Sequence, residues 1–359
     1  MTRPSRVVIN KQALIHNLNR VRELAPKSKV MAVIKADAYG HGIVRTAQTL
    51  KDADAFGVAC LEEAEQLRSA DINNPIVLLE GPHKAIDLKR IVELQLEAVI
   101  HNEMQIENLE QAELQEPLQV WLKIDTGMHR LGVPINKAET LLKRLEKCKN
   151  VKPSIRLMTH FATANEKDNP LTSEQLESFN QFCENRDYEK TLANSAAVIN
   201  FFDTHAEWIR PGLMLYGVSP MKDGRAKNHG LKPVMTLESE IISIQNLSMG
   251  DPVGYGATWH CPEDMPVGVV AAGYGDGFPR HAKSGTPILV NDVRCSLIGR
   301  ASMDMLTVDL RNQPDAKIGD RVVLWGESLA IEEVAQHADT ISYELMCGVH
   351  KRLGFVERG

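Results

Sequence analysis

No Cys-x-x-Cys pair occurs in this 359-residue chain, and its six cysteines (Cys60, Cys148, Cys183, Cys261, Cys295 and Cys347) stand too far apart to read as a zinc site or a disulfide framework. Such scattered thiols suit a reducing cytoplasm. No apolar run approaches the roughly 20 residues that span a bilayer, and the strand-like Val7-Val8-Ile9 is too short for the apolar core of a signal peptide. The chain therefore reads as soluble and unexported. Basic residues are not in excess: 41 Lys and Arg face 47 Asp and Glu, a net charge of −6, which argues against a nucleic-acid or anionic-membrane surface. Also missing is a Gly-x-x-x-x-Gly-Lys segment; Gly254-Tyr255-Gly256 and Gly273-Tyr274-Gly275 are too short to replace it, which argues against a P-loop nucleotide site. No internal repeat or low-complexity tract stands out. These absences leave small-molecule chemistry.

What the chain has is 43% hydrophobic residues over about twice the length of a common domain of roughly 150 residues. In its first two thirds, short apolar runs alternate with longer amphipathic stretches, the rhythm of βα units and of a parallel sheet buried on both faces. The runs are 30–35, 55–59, 76–80, 98–101, 120–125, 155–161, 191–194 and 208–210. Helical patterns fall at 11–24, 61–70, 103–114 and 173–185, the last with Thr172 or Ser173 as its cap. Eight strands with interleaved helices predict an α/β chain with a (β/α)8 TIM-type barrel. After Pro233 the pattern becomes short apolar or alternating segments (234–244, 267–272, 287–290, 305–310, 321–325) broken by Gly, Pro and Asp. This reads as a mainly-β C-terminal domain with one helix at 330–337 and a charged, glycine-containing linker at 221–230. The expected domains are 1–230 and 231–359, with the first few residues free to pair with the β domain.

Barrels of this kind hold their active sites at the C-terminal strand ends. Lys35, His101, Lys123, Asp125, His160, Ser195 and Arg210 all fall there. Period-two alternation sets Trp121, Lys123 and Asp125 on one side of their strand, so Lys123 and Asp125 are expected together at the barrel mouth. A lysine directly behind Val30-Met31-Ala32-Val33-Ile34 needs a counter-ion, a route to solvent or a covalent role such as a Schiff base. An ordinary loop lysine is the alternative for Lys35. The loops after the seventh and eighth runs suit a single phosphate: Asn194-Ser195-Ala196-Ala197 opens a helix, and Arg210-Pro211-Gly212-Leu213 follows the last run. The alternative for Ser195 is a plain helix cap. His41 and His129 lack a second ligand at metal spacing, so they read as loop supports and no metal is expected.

Eight segments, in order, resemble the motifs of alanine racemases over nearly the whole chain. They are Val33-Ile34-Lys35-Ala36-Asp37-Ala38-Tyr39-Gly40-His41-Gly42, Lys123-Ile124-Asp125-Thr126-Gly127-Met128-His129-Arg130-Leu131-Gly132, Thr159-His160-Phe161, Asn194-Ser195-Ala196, Arg210-Pro211-Gly212, Val253-Gly254-Tyr255-Gly256, Ala272-Gly273-Tyr274-Gly275-Asp276-Gly277 and Ser302-Met303-Asp304-Met305. The resemblance implies a cytoplasmic isomerase that uses pyridoxal 5'-phosphate. It would interconvert L- and D-alanine through an external aldimine, either for peptidoglycan or in alanine catabolism, with serine or other small amino acids as weak substrates. Lys35 would hold the cofactor aldehyde as a Schiff base. Tyr39, Ser195, Gly212, Leu213 and Tyr343 would take its phosphate, and Arg210, with His160 beside it, would face the pyridine nitrogen. A guanidinium cannot accept a proton, so it disfavours protonation of that nitrogen, which weakens the electron sink and favours simple proton return over transamination.

Racemisation is served by one base on each face of a planar carbanion. The resemblance implies Lys35 on the D face and, on the L face, Tyr255 lent by the β domain of the partner chain in a homodimer. A free phenol titrates near pH 10, so a tyrosine base requires positive charge nearby, which the family places in the His160–Arg210 network. Without the other motifs Tyr255 would read as an aromatic packed in a glycine-rich turn. Lys123 is carbamylated in much of the family and then orients Arg130; an ion pair with Asp125 is the alternative. Met303 and Asp304 of the partner subunit would bound the substrate carboxylate pocket, while Tyr274, Arg280, Arg300 and Tyr343 would line the entrance.

One departure is visible: Val349-His350-Lys351-Arg352-Leu353-Gly354 replaces the family's usual Ser-Arg-Val-Pro-Arg-like stretch and keeps only Arg352 clearly aligned. The nearest rival is an amino-acid decarboxylase of the same fold class, which would use a carboxylate and a cysteine where this chain has Arg210 and Tyr255. A non-enzymatic cofactor carrier would resemble the barrel alone. A metal hydrolase around a carbamylated Lys123 and His160 would want a His-x-His pair where Lys35 stands.

Overall fold

The computed structural model describes residues 3–359, which form two compact units. One unit takes residues 18–215 and 220–223; the other takes the described residues up to Asn17, then 216–219 and 224–359. Strand β1 (Arg6–Asn10) belongs to the latter. The first unit is built on β2 (Lys29–Val33), β3 (Ala55–Val58), β4 (Ile76–Leu78), β5 (Glu97–Ile100), β6 (Val120–Asp125), the two-residue β7 (Val133–Pro134), β8 (Arg156–Met158), β9 (Lys190–Asn194) and β10 (Trp208–Arg210). Every pairing is parallel. The ring β2-β3-β4-β5-β6-β8-β9-β10 closes on itself, while β7 adds to β6 alone. All eight apolar runs are thus barrel strands, and their near-continuous Val, Ile, Leu and Ala content follows from burial on both faces.

One end of this barrel is sealed. Met31, Ala55, Val77, Val99, Trp121, Met158 and Trp208 form a buried layer, with the two indoles meeting edge to face at 5.5 Å. Beyond them lies Arg156, its guanidinium 4.9 Å from the Trp121 ring and 5.2 Å from the Trp208 ring. Glu97 and Glu189 hold that guanidinium at 2.8 and 2.7 Å, and the same carboxylates accept the Trp121 and Trp208 indole N–H groups. Because Lys29, Glu97, Arg156 and Trp208 begin their strands, this floor is the N-terminal end. Chemistry is left to the opposite end.

The second unit continues with β11 (Met235–Leu247), β12 (Pro252–Val253), β13 (Trp259–His260), β14 (Met265–Val270), β15 (Pro287–Val290), β16 (Val293–Leu297), β17 (Leu306–Asp309), β18 (Arg321–Trp325) and β19 (Gly354–Arg358). The long β11 pairs with both β14 and β18, so β11-β14-β17-β16-β15-β18 closes into an antiparallel ring. β1 lies antiparallel to β11, and β19 lies parallel to β1.

Three elements escape the pattern of apolar runs. β16 reads Val-Arg-Cys-Ser-Leu with its start exposed; it is set by a two-residue hairpin in which Asn291 and Asp292 both take positive φ (48° and 62°), the geometry that suits strand twist. β19 is a half-exposed edge strand held by backbone pairing to β1, and Ser342–Cys347 adds a second helix to the β domain. The cap expected at Thr172 or Ser173 lies inside the helix Leu171–Cys183. The Thr172 hydroxyl is buried against Thr163 (3.1 Å), and Asn169 Oδ1 accepts the Leu171 N–H instead. Part of the expected linker is ordered as a 3-10 turn, Ala226–His229, closed by Gly230 at φ 72°. Among the described residues no helix is long and apolar enough to cross a membrane.

Candidate active site

At the open end of the barrel, Lys35 is followed by an unusual backbone. Ala36, Asp37, Ala38 and Tyr39 have φ of 54°, 52°, 54° and 53°, and Gly40 follows at 79°. A left-handed turn of non-glycine residues costs about 1–2 kcal/mol per residue, so surrounding bonds must hold it. Asp37 does so through its side chain, accepting the Ile43 N–H (2.8 Å), and through its carbonyl, accepting the Gly42 N–H (2.9 Å). Glu63 accepts the N–H groups of Ala36 (2.6 Å) and Ala59 (2.8 Å), tying the segment after β2 to that after β3. His41 is fully buried, and its Nδ1 lies 3.0 Å from the carbonyls of both Ala38 and Tyr39. Burial pulls its pKa down to about 4, so it supports the turn as a neutral donor. The amine of Lys35 and the phenol of Tyr39 thereby stand at the two ends of one rigid piece.

Arg210, at the end of β10, is buried and heavily bonded. Its guanidinium donates to the Thr191 hydroxyl (2.6 Å), to the Thr159 and Leu192 carbonyls (2.7 and 3.2 Å) and to His160 Nδ1 (3.2 Å). No acceptor among the described residues meets its Nε–H. Burial lowers its pKa to about 9, still charged at neutral pH. Desolvation, reinforced by Arg210, Lys123, Arg130 and Lys35, pushes His160 well below its usual range. His160 is therefore a neutral acceptor from Arg210, and the positive charge of the expected His160–Arg210 network is the arginine's alone.

Lys123 is 7% exposed and shares this space with three cations. Burial, then Arg210, Arg130 and Lys35, bring its pKa down to about 8. Asp125 favours the charged form, yet no carboxylate of the described residues comes within ion-pair distance of it. The alternative of a direct Lys123–Asp125 pair is not found, because Asp125 is engaged elsewhere. Its Oδ1 accepts the N–H groups of Gly127, Met128 and His129 (3.1, 3.1 and 3.0 Å), and its Oδ2 meets His129 Nδ1 at 3.0 Å. Burial opposes that charge, but these donors win and hold the Asp125 carboxyl below the usual range. His101 lies outside the cluster of bonds, occupied with the Glu80 carbonyl at 3.0 Å.

Next to Arg210 the chain forms a small cradle. Ser195 Oγ accepts the N–H groups of Gly212 (2.8 Å) and Met214 (3.4 Å), which leaves its own proton to donate. A Cβ on Gly212 would stand 2.7 Å from the Tyr39 hydroxyl, so only glycine lets that phenol approach. Asn194, not Ser195, caps the helix Ser195–Asn200 by accepting the Ala197 N–H (3.0 Å), which removes the plain-cap reading of Ser195. The barrel unit thus carries Lys35, Tyr39, Lys123, Arg130, His160, Ser195, Arg210, Gly212 and Leu213.

The other expected residues, Tyr255, Tyr274, Arg280, Arg300, Met303, Asp304 and Tyr343, lie in the second unit. Tyr255 sits 68% exposed on a turn in which Gly254, Gly256 and Ala257 all have positive φ, and the Arg300 guanidinium lies beside Gly256. Met303 is 54% exposed, and its carbonyl accepts the Gly275 N–H next to Tyr274 (2.8 Å). Arg280 is exposed, and desolvation raises the Tyr343 phenol to about 12, which keeps its proton in place. Sequence reasoning missed Glu63 and Gln175, and it gave Thr159 and Thr191, though they stand in quoted segments, no role of their own. Gln175 is fully buried and joins the Thr126 hydroxyl (3.3 Å), the His160 carbonyl (3.0 Å) and the Ala162 N–H (2.9 Å). No local signal marks these roles, since Ala36, Thr126 and Arg210, on which they act, lie 19 to 51 residues away.

Comparison with known proteins agrees with this geometry. Residues 9–220 match the family pattern described as alanine racemase, N-terminal domain, and residues 234–356 match the alanine racemase, C-terminal domain. The chain is 50% identical over 348 residues, 97% of each chain, to the alanine racemase of Shewanella loihica and to the biosynthetic alanine racemase of an Escherichia coli strain. The crystal structure of biosynthetic alanine racemase from Pseudomonas aeruginosa superimposes with a TM-score of 0.97 at 42% identity over the whole of both chains. That of alanine racemase from Acinetobacter baumannii gives 0.95 at 36% over 99% of this chain and 100% of its own. These relatives are racemases, which disfavours the decarboxylase alternative. A closed parallel barrel that ends in Lys35 and Arg210, a β unit that bears Tyr255 and identity sustained through both lead to one assignment: the chain belongs to the alanine racemase family of isomerases.

Proposed function

We propose that this chain interconverts L- and D-alanine, with pyridoxal 5'-phosphate in the mouth of the barrel unit and with the β unit of a second copy completing each site. The single observation that carries the reading is Arg210: a group protonated at neutral pH, rigidly bonded on one side, with its Nε–H left for a ring nitrogen. When bound, the cofactor supplies an electron sink for the pair left on the substrate Cα. The residues fit it. Tyr39, Ser195, Gly212 and Leu213 suit its phosphate, joined by the protonated Tyr343, and Lys35 Nζ suits its aldehyde. His160 keeps Arg210 in orientation as a neutral partner. Lys35 would take or return the Cα proton on the D face, and Tyr255 of the partner subunit would do so on the L face. Arg130, with Met303 and Asp304 of the partner subunit, would receive the substrate carboxylate. Tyr274, Arg280 and Arg300 would form the entrance.

The test is to incubate the purified holoprotein with L-alanine or D-alanine and follow the other enantiomer with D-amino-acid oxidase and optical rotation. Enantiomers have equal free energy, so both incubations should converge on an equal mixture. Carbon dioxide release without D-alanine would instead establish a decarboxylase and end the reading. The names of the relatives favour a supply of D-alanine.

Lys123 is proposed to be carbamylated. A buried lysine among three cations, with no carboxylate at hand, is a place where an anion is worth more than a fourth cation. The neutral amine attacks carbon dioxide and releases one proton, leaving an anion that can orient Arg130. Only the neutral amine reacts, so occupancy should rise as the pH passes upward through about 8. Intact-protein mass spectrometry in bicarbonate should find one carbon dioxide on Lys123, lost on acidification and absent from Lys123→Ala. An unmodified lysine at pH 9 in bicarbonate would refute it.

A further inference from the structure

In the second unit, the turn 302–305 has each of three successive carbonyls engaged. Ser302 O accepts the Tyr274 N–H (3.0 Å), Met303 O accepts that of Gly275 (2.8 Å), and Asp304 O accepts a guanidinium N–H of Arg3 (2.8 Å). The described residues contain no cis peptide, and in a trans peptide the C=O and N–H point in opposite directions. Turning these carbonyls inward therefore turns the N–H groups of Met303, Asp304 and Met305 outward. None of the three has an acceptor among the described residues. Successive outward N–H groups of this kind suit a carboxylate.

Two arginines impose that posture. Arg3 reaches Asp276 Oδ2 (2.7 Å) as well as the Asp304 carbonyl. Arg352 sets Nε on Asp276 Oδ1 (2.8 Å) and its terminal nitrogen on Asp304 Oδ1 (2.8 Å), with the Met303 carbonyl at 3.4 Å. Asp276 is fully buried, and its Oδ2 also accepts the Gly273 N–H (2.9 Å). A Cβ at Gly273 would stand 2.3 Å from Ser302 O and 2.5 Å from Met303 O, so glycine is required for the turn to seat. Two arginines and two aspartates cancel in charge. What they add is geometry, and Arg352 is the one residue of the divergent 349–354 stretch that stays aligned with the family.

We propose that Arg3 and Arg352, anchored on Asp276, are positioning residues for substrate recognition: they hold the 302–305 turn with its N–H groups outward and so set the affinity for the carboxylate of alanine. The proposal rests on the racemase reading and on Met303 and Asp304 bounding the carboxylate pocket. Neither arginine is one of the two bases, so the clamp acts on binding and leaves proton transfer alone.

Arg3→Lys keeps a charge for Asp276 but cannot also span to the Asp304 carbonyl. On the full-length holoenzyme, KM for both alanine enantiomers and the inhibition constant of propionate, alanine without its amino group, should rise together by about tenfold, the worth of one charge-assisted hydrogen bond. The turnover number, cofactor absorbance and thermal midpoint should hold. Arg3→Ala takes one of its two guanidinium partners from the buried Asp276 carboxylate and lowers the midpoint, and adding Asp276→Asn removes the charge that has lost that partner. The double variant should regain its midpoint while KM and the propionate constant stay raised. Wild-type KM and propionate inhibition in folded Arg3→Lys would overturn the proposal, as would their recovery along with the midpoint in the double variant. A wild-type protein that does not convert alanine would remove the racemase reading and this proposal together. One that does, beside an unaffected Arg3→Lys, removes the clamp alone.

Discussion

Lys35→Ala should eliminate covalent attachment of the cofactor: after borohydride reduction and proteolysis no peptide should carry the pyridoxyl mass, whereas in the wild-type protein the label should fall on Lys35. Turnover drops by about 10³–10⁴-fold, the upper range for loss of a positioned acid–base group. Fold stability changes little. Lys35 is only half buried and stands outside the bonds that hold its turn, which run through Asp37, Glu63 and His41. A half-buried truncation of this kind usually costs no more than about 0.5 kcal/mol. The thermal midpoint measured alongside separates lost chemistry from lost structure. A wild-type label on any other lysine would sink the assignment, and so would a labelled Lys35→Ala protein.

Tyr255→Phe should lower racemisation by about 10²–10⁴-fold while sparing cofactor attachment at Lys35. The loss must be equal in both directions, because the equilibrium constant between enantiomers is one and forward and reverse kcat/KM cannot separate. The asymmetry lies in isotope exchange. In deuterium oxide, Lys35 should still remove the α-hydrogen of D-alanine, so D-alanine should exchange it without inverting; L-alanine, which on this proposal needs the missing phenol, should not. Proton NMR of the α position reads both. Phenylalanine keeps the ring on an exposed turn, so packing is unaffected. Equal exchange of the two enantiomers would refute the assignment of faces. A variant that exchanges neither would mean that Tyr255 serves binding instead.

Much of this architecture is legible in one sequence because burial leaves a periodic trace. The eight apolar runs are barrel strands, since a parallel strand covered on both faces must be apolar along its length. The polar residues that interrupt their C-terminal ends stand out against that background, which is why Lys35, Lys123, His160 and Arg210 could be singled out. β16, β19 and the helix Ser342–Cys347 leave no such trace. They are short and half-exposed, fixed by a hairpin turn, by pairing to β1 and by local bonds. The cap at Thr172 failed for a related reason: its hydroxyl is buried against that of Thr163, which competes for it.

The sequence by itself determined which groups are available: a lysine and an arginine at strand ends, a serine and a glycine in the last two loops, and a tyrosine between glycines. Tertiary structure alone decided their states. His160 is neutral because three strands bring four cations around a desolvated ring. Lys123 has no carboxylate partner because Asp125 turns to the N–H groups behind it. Arg3 meets Asp276 and Asp304 across 273 and 301 positions of sequence, and Arg352 meets Asp276 across 76. Ionisation, pairing and orientation depend on through-space distance and on the removal of water, and neither is a property of chain order.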